Sequence, residues 1–208
     1  MRNLFNISII ASAIMFSMVT WSHSQEGQKP SAPATAKEAD VPKKLSPPTQ
    51  PYVMDKNPHL IIETDLGNME MELFLKESPM TASNFLYLVR EHFYDGLTWH
   101  RVIPGFVIQG GDPKGTGMGG PGYQIKFESN NKQHLPGAVA MARSQDPNSA
   151  GSQFYIALER LGNLDKNYVV FGQLVSGLDV AKKIADVKRD RSDKPLEPVH
   201  IKKIYEKK

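Results

Sequence analysis

The chain reads as a mainly β protein, an antiparallel β-barrel capped at its ends by helices. Three observations carry this. Short strand-like runs recur at 97–103, 106–109, 138–142, 153–157 and 169–175, separated by Gly-rich and polar loops. Two further runs, 60–66 and 69–75, flank Gly67-Asn68, a hairpin turn pair, and the second alternates Met69, Met71, Leu73 and Leu75 against Glu70 and Glu72. Only two segments show helical spacing, which suits an antiparallel barrel better than a layered α/β sheet.

Taken in order, the chain opens on Arg2 and then an uncharged stretch, LFNISIIASAIMFSMVTWSHS, with an apolar centre from Ile7 to Val19 and small residues at Ser22 and Ser24. This is the pattern of a secretory signal peptide over 1–24, cleaved after Ser24. A retained anchor is the other reading, since the charge-free length approaches the roughly 20 residues that span a bilayer. Asn6, Ser8, Ser12 and Ser17 dilute that apolar run.

Residues 25–58 scatter Pro30, Pro33, Pro42, Pro47, Pro48, Pro51 and Pro58 among Ala, Lys, Ser and Gln. Such a segment buries too little apolar surface to offset its ordering entropy, so it reads as a disordered, semi-extended tether. One globular domain follows over 59–206. After the hairpin, Ser78-Pro79 opens a helix with Phe85, Leu88, Val89 and His92 on one face, stopping at Asp95-Gly96. A second helix carries Val180, Ile184 and Val187, and 200–205 forms the last strand.

Charge and composition exclude several functions. The formal net charge of +3 over 208 residues, of which Arg2 supplies one, is no nucleic-acid footprint. The terminal lysines Lys202, Lys203, Lys207 and Lys208 are mixed with Glu206 and read as a solvated strand end. With no cysteine, disulfides, thiolate metal sites and thiol catalysis are excluded. His92, His100 and His134 lack the close pairing of a metal site. GTGMGGPGY at 115–123 lacks the Lys-Ser/Thr of a phosphate loop and reads as a mobile loop. No cofactor or metal is expected.

The most informative segment is WHRVIPGFVIQGGD at 99–112. Arg101 and Gln109 stand in a run that is otherwise apolar, with Val102, Ile103, Phe106, Val107 and Ile108, a Pro104-Gly105 turn and a flexible Gly110-Gly111 pair. Composition alone leaves two readings of Arg101: a side chain snorkelling to water from a barrel edge, or a charge placed in a binding surface. The segments GAVAMARSQDPNSAGSQFYIAL at 137–158 and NLDKNYVVFGQLVSGLDV at 163–180 favour the second. FxxQGGD, the Ala-Met-Ala run, GSQF and VVFG, in that order, resemble a cyclophilin-type peptidyl-prolyl cis/trans isomerase, and the likeness spans 59–206. The resemblance implies a closed eight-stranded antiparallel barrel with a helix over each opening. It also implies an enzyme acting on proline-containing polypeptides. Together with the leader it implies a monomeric foldase of the bacterial periplasm, free of the membrane once the signal is cleaved.

Prolyl isomerisation defines what the site must do. Rotation about the X-Pro bond faces a barrier of about 18–20 kcal/mol because the amide nitrogen shares its lone pair with the carbonyl. At the twisted transition state that lone pair localises and can accept a hydrogen bond unavailable in the planar ground state. A donor aimed there binds the transition state selectively. The resemblance makes Arg101 that donor, with Gln109 and Gln153 holding the substrate backbone and orienting Arg101. It places the proline ring against Phe106, Val107, Tyr155 and Leu164, with Tyr168 at the rim, and pairs the substrate chain with the backbone at Ala142–Arg143. His100 matches a groove-lining position. No proton transfer is required, so His100 is not read as a base.

Four positions depart from the commonest pattern of the family. Tyr155 replaces a Phe, adding a hydroxyl that must find a partner or meet the proline ring unpaired. Arg143 stands where a small polar residue is frequent, Asn163 where a Trp associated with cyclosporin binding stands, and Tyr168 where a rim His stands. The Tyr155 hydroxyl keeps open a second class of function, a weakly catalytic chaperone or scaffold that holds Pro-containing segments. The retained-anchor reading of the leader adds a third, a membrane-tethered assembly factor.

Overall fold

The computed structural model describes residues 45–208; the leader and the first part of the linker, to residue 44, lie outside the described residues. Eight strands form one antiparallel sheet: β1 (His59–Thr64), β2 (Gly67–Leu73), β3 (Arg101–Ile103), β4 (Val107–Gly110), β5 (Ala138–Met141), β6 (Phe154–Ala157), β7 (Val170–Ser176) and β8 (Ile201–Glu206). Their spatial order is β3-β4-β6-β5-β7-β2-β1-β8. Helix α1 (Pro79–Arg90) and helix α2 (Leu178–Ala185) complete it.

The sheet curls into an open half-barrel, which corrects the closed barrel expected from the sequence. Strands β3 and β8 are its two ends and share no ladder. The reason is local. β3 has three residues, and the outward amide of Val102 donates to the Asp193 carbonyl of the 188–196 loop at 2.8 Å instead of to a strand. The gap is spanned by the chain just before β3, through a Thr98–His200 bridge and the bonds Gly96 N–H to Ile201 O and Ile201 N–H to Leu97 O.

The hairpin turn falls two residues earlier than expected. Thr64 pairs with Gly67, leaving Asp65-Leu66 as the turn. Thr64 Oγ1 donates to Gly67 O and accepts from Leu66 N–H, and Gly67 sits at φ +134°, where a Cβ would strike Val180 at 3.0 Å. In β2, Met69, Met71 and Leu73 point into the core and the glutamates stay half-exposed, as the alternation requires.

Helix α1 begins at Pro79 with Ser78 at the N-cap position, but the Ser78 side chain makes no capping bond. Its hydroxyl is spent on the Val170 carbonyl, and the Glu128 carboxylate accepts from the N–H groups of Met80 and Thr81 at 2.9 and 2.7 Å. The helix ends at Arg90. His92 therefore lies outside the apolar face assigned to it, exposed and at φ 56°.

Inside the half-barrel, Phe85 of α1 packs against Tyr94, Phe154 and Phe171 with ring centroids 4.9 to 5.2 Å apart, and Trp99 closes on Phe154 at 5.5 Å. A second, smaller apolar cluster lies on the other side of the sheet: Val107, Ala138, Ala140, Tyr155, Ala157, Leu161 and Val170, with Phe106, Leu164 and Tyr168 against it. Strands β5 and β6 are thus buried on both faces, which is why AVAM and FYIA show no alternation.

Of the segment 25–58, read as a disordered or semi-extended tether, the described part from residue 45 onward is anchored to the domain. Leu45 and Tyr52 pack on the main core, Tyr52 N–H donates to Ser83 Oγ at 2.8 Å, and the Arg90 guanidinium lies over the Tyr52 ring. Asn57 bonds both Glu72 and the Leu75 amide. Proline content conceals these anchors, because the aromatic and amide groups that hold the strap are few and widely spaced.

Candidate active site

The site lies on the outer face of β3, β4 and β6, where the chain segment 158–169 covers the smaller apolar cluster. Cross-strand register builds it. Arg101 on β3 pairs with Gln109 on β4, and Gln109 pairs with Tyr155 on β6, so the three side chains share one face. A pocket of about 140 Å³ opens there, lined by Arg101, Phe106, Val107, Gln109, Ala142, Arg143, Tyr155, Leu164 and Tyr168. Nine of the eleven residues singled out in the sequence therefore converge on one apolar hollow with a charge at its wall. Gln153 lines the adjoining groove of about 820 Å³, which Gln109, Ala142 and Arg143 share with the 117–124 loop.

Arg101 is half-buried, and its guanidinium makes no hydrogen bond or ion pair among the described residues. Gln109 does not orient it. Gln109 Nε2 donates to Gln153 Oε1 at 3.0 Å, and Gln153 Nε2 donates to the carbonyls of Gly117 and Gly119 at 2.9 Å each. The two glutamines tie the glycine loop to the sheet. Asp112, buried, ties it from below by accepting from Lys114 N–H and Thr116 N–H at 2.7 and 2.9 Å. Burial pushes that carboxyl up, but the surrounding backbone N–H groups outweigh burial and hold it below the ordinary value. The loop expected to be mobile is thus held over its first half, 114–119.

Gly110-Gly111 is also not a flexible pair. Gly111 stands at φ +84°, and a Cβ there would lie 2.4 Å from the Ser152 carbonyl, so the glycine lets β4 and the entry to β6 approach closely.

His100 does not line the pocket. It is buried behind the glycine loop, 3.8 to 3.9 Å from where a Gly117 Cβ would stand, and neither ring nitrogen has a hydrogen-bond partner among the described residues. His100 stands one residue before β3, and neighbouring residues of an extended chain face opposite ways.

Arg143 does more than its backbone. Its guanidinium donates to Asn167 O at 3.0 and 3.2 Å and to Ser144 O at 2.8 Å, and it lies 4.6 Å from the centre of the Tyr168 ring. It staples the 143–145 and 163–168 segments across the mouth of the pocket.

The Tyr155 hydroxyl has a partner that sequence reading missed. His134 Nε2 lies 2.9 Å from it, His134 Nδ1 lies 3.0 Å from Asp165 Oδ1, and Asp165 also meets Arg160. The signal was weak: His134 and Asp165 stand 31 residues apart, on two loops that only the fold brings together.

His100 and His134 are both held neutral. Burial lowers each pKa below the ordinary histidine value, for His134 against the opposing pull of Asp165. A histidine with a depressed folded pKa binds more protons unfolded than folded, so stability is lost as pH falls below the ordinary value. Each contributes at most about 1.4 kcal/mol per pH unit. Urea unfolding at about pH 7 and about pH 5.5 is expected to show a lower midpoint at the acid end. A midpoint unchanged across that interval would contradict this burial.

An antiparallel half-barrel with an arginine-walled pocket on its outer sheet face is the arrangement of a known class of protein. Residues 59–206 match the family described as cyclophilin type peptidyl-prolyl cis-trans isomerase/CLD. The chain is 42% identical over 144 residues to peptidyl-prolyl cis-trans isomerase ppi1 of Schizosaccharomyces pombe, covering 67% of this chain and 93% of that protein. It is 47% identical over 133 residues to peptidyl-prolyl cis-trans isomerase B of Bacillus subtilis, covering 63% and 92%. A cyclophilin-type isomerase of Cryptosporidium parvum superposes with a TM-score of 0.70 at 34% identity, over 73% of this chain and 98% of that one. The chain belongs to the cyclophilin family of peptidyl-prolyl cis-trans isomerases.

Proposed function

We propose that this chain accelerates rotation about X-Pro bonds in secreted polypeptides, with Arg101 donating a hydrogen bond to the prolyl nitrogen at the twisted transition state. The observation that carries this is the Arg101 guanidinium, without a hydrogen bond or ion pair among the described residues, at the wall of a pocket lined by Phe106, Val107, Tyr155 and Leu164. A guanidinium so placed is a donor held ready for substrate, and its planar fork suits that task better than an ammonium. Gln109 keeps its Oε1 and one Nε2 hydrogen for a peptide backbone, whereas Gln153 has both Nε2 hydrogens spent and only Oε1 left to accept, and Ala142 lines both hollows. The Cryptosporidium parvum relative was also solved in the presence of the dipeptide Ala-Pro, with a TM-score of 0.69 to this chain at 35% identity and 72% coverage. The same ligand class suits this pocket.

The test is cis-to-trans conversion of an Ala-Pro peptide by the purified chain beside Arg101→Ala. Strong acceleration that Arg101→Ala abolishes supports the reading. Binding of the peptide without acceleration would replace it with a holding module. The physical support for that alternative was an unpaired Tyr155 hydroxyl, and that hydroxyl is bonded to His134.

The setting proposed for this activity, the periplasm, rests on residues 1–24 read as a cleaved leader. Mass spectrometry of the protein from its native host is expected to find Gln25 at the mature N-terminus. A retained hydrophobic stretch would make the chain a membrane-tethered factor instead.

A further inference from the structure

We infer that His134 is a positioning residue for the prolyl pocket: it takes the Tyr155 hydroxyl proton away from the hollow, so that Tyr155 offers the proline ring an apolar face. The inference rests on the reading of this pocket as the prolyl site.

Asp165 anchors a line of polar groups: its Oδ1 accepts the backbone N–H of His134 at 2.8 Å and faces ring Nδ1 at 3.0 Å, while Oδ2 meets the Arg160 guanidinium. Burial pushes the Asp165 carboxyl up, but Arg160 and His134 outweigh it and hold it well below the ordinary carboxylate range. A carboxylate can only accept, so Nδ1 carries the imidazole hydrogen. The ring is fully buried and neutral, which leaves Nε2 a bare acceptor. The Tyr155 oxygen lies 2.9 Å from it, and burial raises the phenol far above its ordinary pKa, so the hydroxyl keeps its proton and donates it to Nε2. The His134 and Tyr155 ring planes lie within 12° of each other, and Tyr168 meets Tyr155 edge-on at 6.0 Å.

Every proton in the line Arg160–Asp165–His134–Tyr155 is therefore assigned by its neighbour. The consequence is steric and polar together. The phenol ring is held at the pocket floor, and its one donor points into the protein rather than toward the substrate. Remove His134 and the buried hydroxyl is left unsatisfied, free to turn toward the pocket and compete for water or for the substrate carbonyl.

The test is a double-mutant cycle over the wild type, His134→Ala, Tyr155→Phe and the double variant, read as kcat and KM on an Ala-Pro peptide. His134→Ala in the wild-type background is expected to lose about tenfold in kcat/KM, mostly through KM. In the Tyr155→Phe background the same change is expected to cost less than about threefold, because no hydroxyl remains to be orphaned. Equal losses in both backgrounds, or none in the first, would overturn the inference.

A second measurement needs no change at His134. Imidazole 15N shifts of the wild-type protein are expected to show hydrogen at Nδ1, with the Nε2 signal moving on Tyr155→Phe. Hydrogen at Nε2 in the wild type would overturn the proton assignment. Arg101→Ala in the same activity assay separates the two levels. Unchanged activity there defeats the prolyl-site reading itself, whereas its collapse without the expected cycle defeats only the role of His134.

Discussion

Arg101→Ala is expected to lower kcat/KM on an Ala-Pro peptide by about a hundredfold to a thousandfold, the loss that follows when one preorganised donor worth about 2.7 to 4 kcal/mol is removed from a water-poor site. The decrease belongs in kcat more than in KM. The lone pair that Arg101 would meet exists as an acceptor only when the amide is twisted, so ground-state binding loses little. Stability is expected to change little, because the guanidinium makes no ion pair among the described residues and leaves no partner stranded. Arg101→Lys is expected to recover only part of the rate, since a strongly hydrated ammonium presents a point charge where the pocket suits a planar fork. Steady-state or NMR exchange kinetics on the three proteins, with thermal melts alongside, check all of this. A loss of less than tenfold in Arg101→Ala would move the transition-state donor elsewhere.

Phe154→Ala is expected to destabilise the fold by about 3–5 kcal/mol, the usual cost of emptying a large buried aromatic site. Phe154 is fully buried, and its ring meets Phe85, Tyr94 and Trp99 edge-on at centroid distances of 5.2, 5.5 and 5.5 Å. These partners come from α1, the turn after it and the chain just before β3. For a chain of this size the midpoint is expected to fall by about 6–20 °C, read by circular dichroism. Function is linked to this packing because Phe154 lies in the chain between Gln153 and Tyr155. The residue that anchors β6 on the inner face holds two site residues on the outer one. A shift under about 1 kcal/mol would mean that the cavity collapses.

Much of the fold was legible where one face is wet. The alternation of Met69, Met71 and Leu73 with glutamates marks β2 because water lies on one side of it. Ser78-Pro79 marks the start of α1 for a conformational reason intrinsic to proline. Legibility failed where the deciding group is distant in sequence. The carboxylate that satisfies the first amides of α1 belongs to Glu128, 48 residues from Met80. The turn of the first hairpin was displaced because the Thr64 hydroxyl closes Asp65-Leu66, while Gly67 was read as the turn and serves as the first paired residue. Ring closure was misjudged because β3 is too short to pair with β8, and Asp193 reaches its outer edge first.

The site divides in the same way. Arg101, Gln109, Phe106, Tyr155 and Tyr168 could be named from the resemblance to the family, and the fold brings them to one pocket. His100 could not be placed correctly, because one step along a strand reverses the side chain, and motif matching ignores that reversal. The Arg143 staple on the Asn167 carbonyl could not be foreseen either, as it joins loops through a backbone atom that carries no residue identity.

What the residues themselves dictated is the set of strands and the two helices, because periodicity is a local property, while the kind of chemistry came from the resemblance of ordered segments to a family. Which way each polar group points was decided only by tertiary structure. The Tyr155 hydroxyl shows why. Its effect on the pocket depends on whether an acceptor lies within 3 Å, and His134 and Asp165 arrive there on separate loops once the sheet has curled. A hydrogen bond is a distance and a direction between two groups, and sequence holds neither until the chain has folded.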